Sequence, residues 1–212
     1  MSGIRTALLS IPLALGLLST AATSSGATDS AAPHASRPDA PLTCRGEGVD
    51  PDALVRHRTD VVIAAPLRTV WKIQTDVERW PSWQTPLESV QRLDHGPLRK
   101  GSAFRWTMPV PPNPSTPATS LEITSTVRQI EREACIRWTG PAIGEGLRID
   151  GVHVWTFTKV RGGVLVRTEE THTGAEVEAN VPVATQLLRE GLETWLRDLK
   201  SEAETQARGG SR

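Results

Sequence analysis

The sequence predicts an α+β domain in which a curved antiparallel sheet grips a long C-terminal helix, with an apolar pocket between them. Three observations point there. Short stretches of alternating polar and apolar residues succeed one another between turn signals, the pattern of strands with one wet face. These stretches run consecutively, with helices gathered at the ends, which is α+β order and not alternating α/β. Near the C-terminus the apolar period changes from two to three and four, marking a helix with a single buried stripe.

The elements follow in order. Val55 to Ala64 (VRHRTDVVIA) alternates and then turns apolar, which predicts the first strand. Pro66 suits the first turn of a helix, where a missing N–H costs nothing, and Val70, Trp71, Ile73 and Val77 recur at helical spacing. Trp80-Pro81-Ser82-Trp83 is expected to end that helix, because a residue before proline is pushed out of the helical region. Ser89 to Leu93 predicts a strand closed by the Asp94-His95-Gly96-Pro97 turn. Ser102 to Val110 predicts another, with Phe104, Trp106 and Met108 on one face. The proline-rich PPNPSTP that follows reads as a loop. Ser120 to Ile130, Ala134 to Thr139, Leu147 to Val160 and Val164 to Thr173 complete the strands, the last two joined by the Gly162-Gly163 hairpin turn. From Val183 to Ala203, Leu187, Leu188, Leu192, Trp195, Leu196 and Leu199 form the stripe, with charged residues opposite.

Composition limits the partners. The chain has 212 residues with 24 basic and 24 acidic side chains, so its formal charge is zero. That length is one domain plus an extension. No basic run offers a footprint for nucleic acid or for an anionic membrane surface. The extension is at the front. Arg5, the apolar run Ala7 to Leu18 and the small residues that follow have the order of a secretory signal peptide. The run is too short for a membrane anchor, and Pro12 interrupts it. The expected organisation is a signal peptide over 1–27, a flexible Ala/Ser/Pro-rich linker over 28–43, a folded domain over 44–206 and a disordered tail over 207–212. Secretion makes a disulfide between Cys44 and Cys135 attractive; two unpaired thiols are the alternative.

Several stretches together resemble the START-like, or SRPBCC, superfamily, whose nearer members are polyketide cyclase/dehydrase and lipid-transport-like proteins. They are Ala65 to Trp71 with Asp76 to Trp83, Gly96 to Trp106, Ser125 to Ile130 with Arg137 to Gly140, Gly151 to Phe157, Gly163 to Glu170 with Gly174, and the closing helix at Trp195-Leu196 and Leu199-Lys200. The likeness covers roughly Val55 to Glu204. It implies the helix-grip fold, a seven-stranded antiparallel sheet wrapped around the C-terminal helix with a cavity between. Members of the superfamily bind lipids, sterols, polyketides or plant hormones, and some are enzymes. The fold alone does not choose among these functions. The leader departs from a largely cytoplasmic family pattern.

On a helix-grip, the concave face is expected to hold Phe104, Trp106, Met108, Ser125, Ile136, Trp138, His153, Trp155 and Phe157, opposed by Leu188, Leu192 and Trp195. Seven Trp beside two Phe and no Tyr give large apolar area with N–H donors, suited to a lined cavity or to a plain core. His153 fits a ligand hydrogen bond, a general base, or a core histidine satisfied by a neighbour. Counting along the last strand, Glu170 and His172 share the inward face near the mouth, and Glu170 can orient a ligand, act as acid or base, or sit solvated at the rim. Nothing in the spacing of His153, Glu170 and His172 demands a metal, and no GxSxG, HExxH, phosphate loop or dinucleotide fingerprint occurs, so no cofactor is expected. Three functions remain open: a carrier of a small hydrophobic ligand, a cyclase or dehydratase using His153 or Glu170, and a domain whose cavity has collapsed.

Overall fold

The computed structural model describes residues 40–85, 87–112 and 118–209. The segment read as a signal peptide, most of the linker and the final three residues lie outside the described residues. Seven strands form one antiparallel sheet: β1 (Val55–Ile63), β2 (Ser89–Arg92), β3 (Ala103–Val110), β4 (Thr119–Glu131), β5 (Cys135–Gly144), β6 (Leu147–Val160) and β7 (Gly163–Thr173). Their order is β1-β7-β6-β5-β4-β3-β2, so only the first strand leaves the sequential meander, pairing with the last. The long helix α3 (Val181–Gly209) packs on the sheet, mostly against β1 and the short helix α1 (Leu67–Thr75). This is the predicted helix-grip. Among the described residues no helix is long and apolar enough to cross a membrane.

The sheet curves because β4 and β5 bend together. Their pairing slips between Val127 and Gln129, and an extra residue in one strand kinks the ladder. At Gly140 the two backbones come so close that a Cβ would fall 2.0 Å from the Thr124 carbonyl oxygen. Only glycine fits there. The concave face thus formed carries two apolar clusters. One gathers Trp80, Phe104, Trp138, Trp155, Phe157, Trp195 and Leu199. The other gathers Val55, Leu121, Ile123, Leu147, Ile149, Leu188 and Leu192.

Several sequence expectations need correction. The first helix does not run to Trp80: it stops at Thr75, and a separate 3-10 helix spans Val77–Ser82 with Pro81 inside it. The tighter winding accommodates a proline that an α-helix would reject, and it turns Trp80 into the core, where its Nε1–H donates to the Gln74 carbonyl at 3.1 Å. β5 extends through Pro141 to Gly144, past the expected end at Thr139. A short helix, α2 (Ala175–Glu178), follows β7. The tail expected from residue 207 is still helical through Gly209.

Ordered structure also begins before Cys44. Leu42 is buried on the convex face with Cys44, Val49, Cys135 and Val154. Cys44 and Cys135 are joined by a disulfide, with Cα atoms 5.4 Å apart. Glu169, which alternates with the inward Glu170 and so points to the opposite face, is buried under this lead. Its carboxylate accepts from the Leu42 backbone N–H at 2.8 Å and pairs with Arg56. A buried carboxylate is tolerated here because a guanidinium and an N–H answer both of its oxygens.

Candidate functional site

The concave face is filled at one end and hollow at the other. At the filled end the rings stack edge to face: Trp80 lies 5.3 Å from Phe104 and 4.9 Å from Trp195, and Trp138 lies 5.8 Å from Phe104. Trp155 and Phe104 are fully buried and Trp138 nearly so. At the hollow end a cavity of about 440 Å³ opens between β3–β7, α2 and the first half of α3. That size is within the ordinary range for small-molecule sites.

Of the residues singled out from the sequence, Trp106, Met108, Glu170, Leu188, Leu192 and Trp195 line the cavity, as does His172. Phe104, Ser125, Trp138, His153 and Trp155 lie a layer behind its wall. Ser125 is fully buried and accepts from Trp106 Nε1–H at 3.1 Å, fixing that indole as it faces the hollow. Trp195 belongs to both ends: it packs on Trp106 and Trp155 at 5.7 Å each and still faces the cavity.

The remaining walls come from Leu121, Ile123, Ala142, Leu147, Ile149, Val177 and Ala184, with Gly140 and Gly151 in the floor. Alternation made part of this legible, since Leu147, Ile149 and Gly151 share parity with His153 and Trp155. Val177 lies on a helix too short to announce itself by period. Gln84 follows the 3-10 helix in a segment with no repeat at all. Gly151 lies beside the carboxylate: a Cβ there would sit in ordinary contact with Glu170 Oε1, at 3.5 Å.

Glu170 is the polar centre. Cross-strand pairing sets His57, Glu170, His153 and Trp138 in one row over β1, β7, β6 and β5. His153 Nδ1 lies 3.2 Å from Glu170 Oε2, and His172 Nε2 lies 3.3 Å from Oε1. Thr168 Oγ1 sits 2.6 Å from His153 Nε2, so both imidazole nitrogens are engaged. Burial pushes the His153 pKa down to about 4, more than the Glu170 charge raises it, and His172 pushes it further down. The imidazole is therefore neutral at physiological pH. Burial pushes the Glu170 pKa upward, but the two histidines outweigh it and hold the carboxyl below its ordinary range. The result is a carboxylate held between two histidines, of which His153 is neutral, at the foot of an apolar cavity. Among the described residues no group of three His, Cys, Asp or Glu is arranged to hold a metal ion.

This arrangement makes stability depend on pH. With a folded-state value near 4 against an ordinary 6.5, His153 binds fewer protons in the folded chain than in the unfolded one between those two pH values. Stability therefore rises with pH across the window, and the contribution, about 3 kcal/mol, is lost as pH falls from roughly 6.5 to 4. Glu170, whose pKa is lowered, adds a loss in the same direction below its ordinary 4.5. Urea unfolding at several pH values is expected to show that slope, and His153→Gln is expected to flatten it between pH 6.5 and 4. An unchanged slope in the variant would place the proton uptake elsewhere.

Comparison with known proteins agrees with this architecture. The family model described as polyketide cyclase / dehydrase and lipid transport matches residues 55–204. Among solved structures, a START superfamily protein from Mycobacterium smegmatis aligns with a TM-score of 0.54 at 15% identity, covering 71% of this chain and 97% of that one. A protein from Thermus thermophilus aligns at 0.56 and 16% identity, covering 72% and 99%. The di-domain ARO/CYC StfQ of the steffimycin biosynthetic pathway aligns at 0.56 and 16%, covering 72% of this chain and 51% of its own. At such identities the likeness is one of fold. No curated protein matches the sequence.

Proposed function

The chain belongs to the polyketide cyclase / dehydrase and lipid transport family, and on that premise we propose that it is an exported carrier holding a small hydrophobic molecule between the sheet and α3. The observation that carries the reading is the cavity of about 440 Å³, walled by Met108, Leu121, Ile149, Leu188 and Leu192 beside the indoles of Trp106 and Trp195. Apolar walls with a few convergent polar groups are what a pre-formed ligand site offers. The leader read from the sequence and the disulfide support export, since oxidised cysteine pairs persist outside the cytosol.

The test is to fill the space. Ala184 is half-buried on α3 and lines the cavity, so Ala184→Trp sets an indole where the ligand would lie. A neutral lipophilic fluorophore is expected to bind the native protein with micromolar affinity, about −8 kcal/mol, and to quench Trp106 and Trp195 emission. Ala184→Trp is expected to weaken that binding at least 10-fold with little change in melting temperature. Equal binding by both proteins would mean that the cavity is not the site.

One observation favours a second reading, a cyclase or dehydratase. Glu170 touches the cavity with a histidine at each oxygen, the geometry of a positioned general base. His153, behind the wall, would position Glu170 and not meet substrate. If a bound polyketide-like compound is converted, Glu170→Gln should leave its binding intact and cut turnover on the order of 100-fold. Binding without conversion favours the carrier.

A further inference from the structure

The hollow end of the helix-grip has a one-sided polar chemistry. Its described lining contains neither Lys nor Arg, and its charged members are Glu170, Glu176 and Glu190. Glu176 and Glu190 are exposed at the rim, whereas Glu170 is largely buried at the foot. Gln84 adds a further acceptor. It is 6% exposed, it lines the cavity from the segment before β2, and its Oε1 is buried with no donor. β2 is one edge of the sheet and β7, which carries Glu170, lies next to the other edge, so the two acceptors approach the cavity from opposite sides. A buried acceptor left unanswered is costly, and a ligand N–H or O–H that reaches it recovers that loss.

From this geometry we propose that the carrier is selective for lipophilic amines: molecules with an apolar body and a protonated amino group that donates to Glu170, with anionic lipids such as fatty acids excluded. The proposal deepens the carrier reading and rests on it. Three considerations support it. Glu170 is already ionised at neutral pH through its histidine partners, and each carboxylate oxygen keeps a lone pair beyond the one its histidine uses. A ligand carboxylate brought beside it would set like charges together in a poorly solvated site, with no cation in the described lining to offset them. The chain as a whole is neutral, so no overall field favours either sign and the choice is made locally. Arg189, the cation whose field reaches His57 beside Glu193, is not part of the lining.

Three probes of one chain length decide it: dodecylamine, dodecanol and dodecanoate, titrated into the intact protein below their aggregation thresholds and followed by Trp emission and calorimetry. The expected order is amine over alcohol over acid, with amine and acid separated at least 10-fold, about 1.4 kcal/mol. Glu170→Gln is expected to bring the amine down to the level of the alcohol. Gln84→Leu, which leaves the Glu170 cluster intact, is expected to weaken the amine and not the acid, and serves should Glu170→Gln fold poorly. Dodecanoate binding as tightly as the amine would overturn the proposal while leaving a carrier. So would an amine preference that survives Glu170→Gln. Binding of none of the three would overturn the carrier reading and this inference together.

Discussion

Replacing both Cys44 and Cys135 with alanine is expected to lower the free energy of unfolding by about 4–5 kcal/mol. The bridge closes a loop with a sequence separation of 91 residues, and in the chain-entropy account that length removes about this much freedom from the unfolded chain. The folded state loses little directly, since alanines still fill the small convex cluster of Leu42, Val49 and Val154. For a domain of this size the loss corresponds to a fall in melting temperature on the order of 10–20 °C. Denaturant unfolding of native and doubly substituted protein measures the difference. On the export proposal, intact mass under non-reducing conditions is expected to report two things at once: loss of the residues before a new N-terminus between Ala21 and Thr28, and the two hydrogens lost on oxidation. Two free thiols, or a double variant as stable as the native protein, would contradict the structure.

Trp195→Ala is expected to cost about 3–5 kcal/mol. Trp195 is 6% exposed and touches Trp80, Trp106, His153 and Trp155, so its removal leaves one hole in contact with four rings. The loss falls at the upper end of that range because its Nε1–H donates to Gln74 Oε1 at 3.2 Å, and alanine leaves that buried acceptor unanswered. Trp195→Phe keeps an aromatic ring while giving up the hydrogen bond and part of the ring volume, so a smaller loss than for alanine, about 1–3 kcal/mol, is expected. An unfolding midpoint unmoved by Trp195→Ala would mean that this face of α3 does not seat against the sheet.

Much of this fold is legible because its elements advertise themselves by period. β3, β6, β7 and α3 lie within a few residues of where alternation and the three-four repeat set them. The reach of the first helix is not, because a proline that should end an α-helix sits comfortably in a 3-10 turn. α2 stays hidden because four residues cannot display a helical repeat. For the site, parity along β7 brings out Glu170 and His172, and parity along β6 brings out His153. Which aromatic residues face empty space and which face one another is not legible. Phe104 and Trp106 stand on the same face of one strand, yet one is sealed and the other borders the hollow. Depth on a curved sheet is set by neighbours distant in sequence, such as Trp80. Glu169 shows the same limit on the other face: its burial depends on Leu42, 127 residues away.

The split of the concave face into an aromatic knot and an open hollow gives different evolutionary freedom to its two ends. Proteins tolerate substitutions until the summed loss crosses the threshold at which the fold fails. A change at Trp80 or Trp155 uses much of that margin in one step. A change at Ala184, half-buried on the cavity wall, borders open volume and uses less, while altering the shape and polarity that the hollow presents. A lineage built on this scaffold can therefore vary what the hollow end admits by drift there, with the knot carried along unaltered as the part that keeps the chain folded meanwhile.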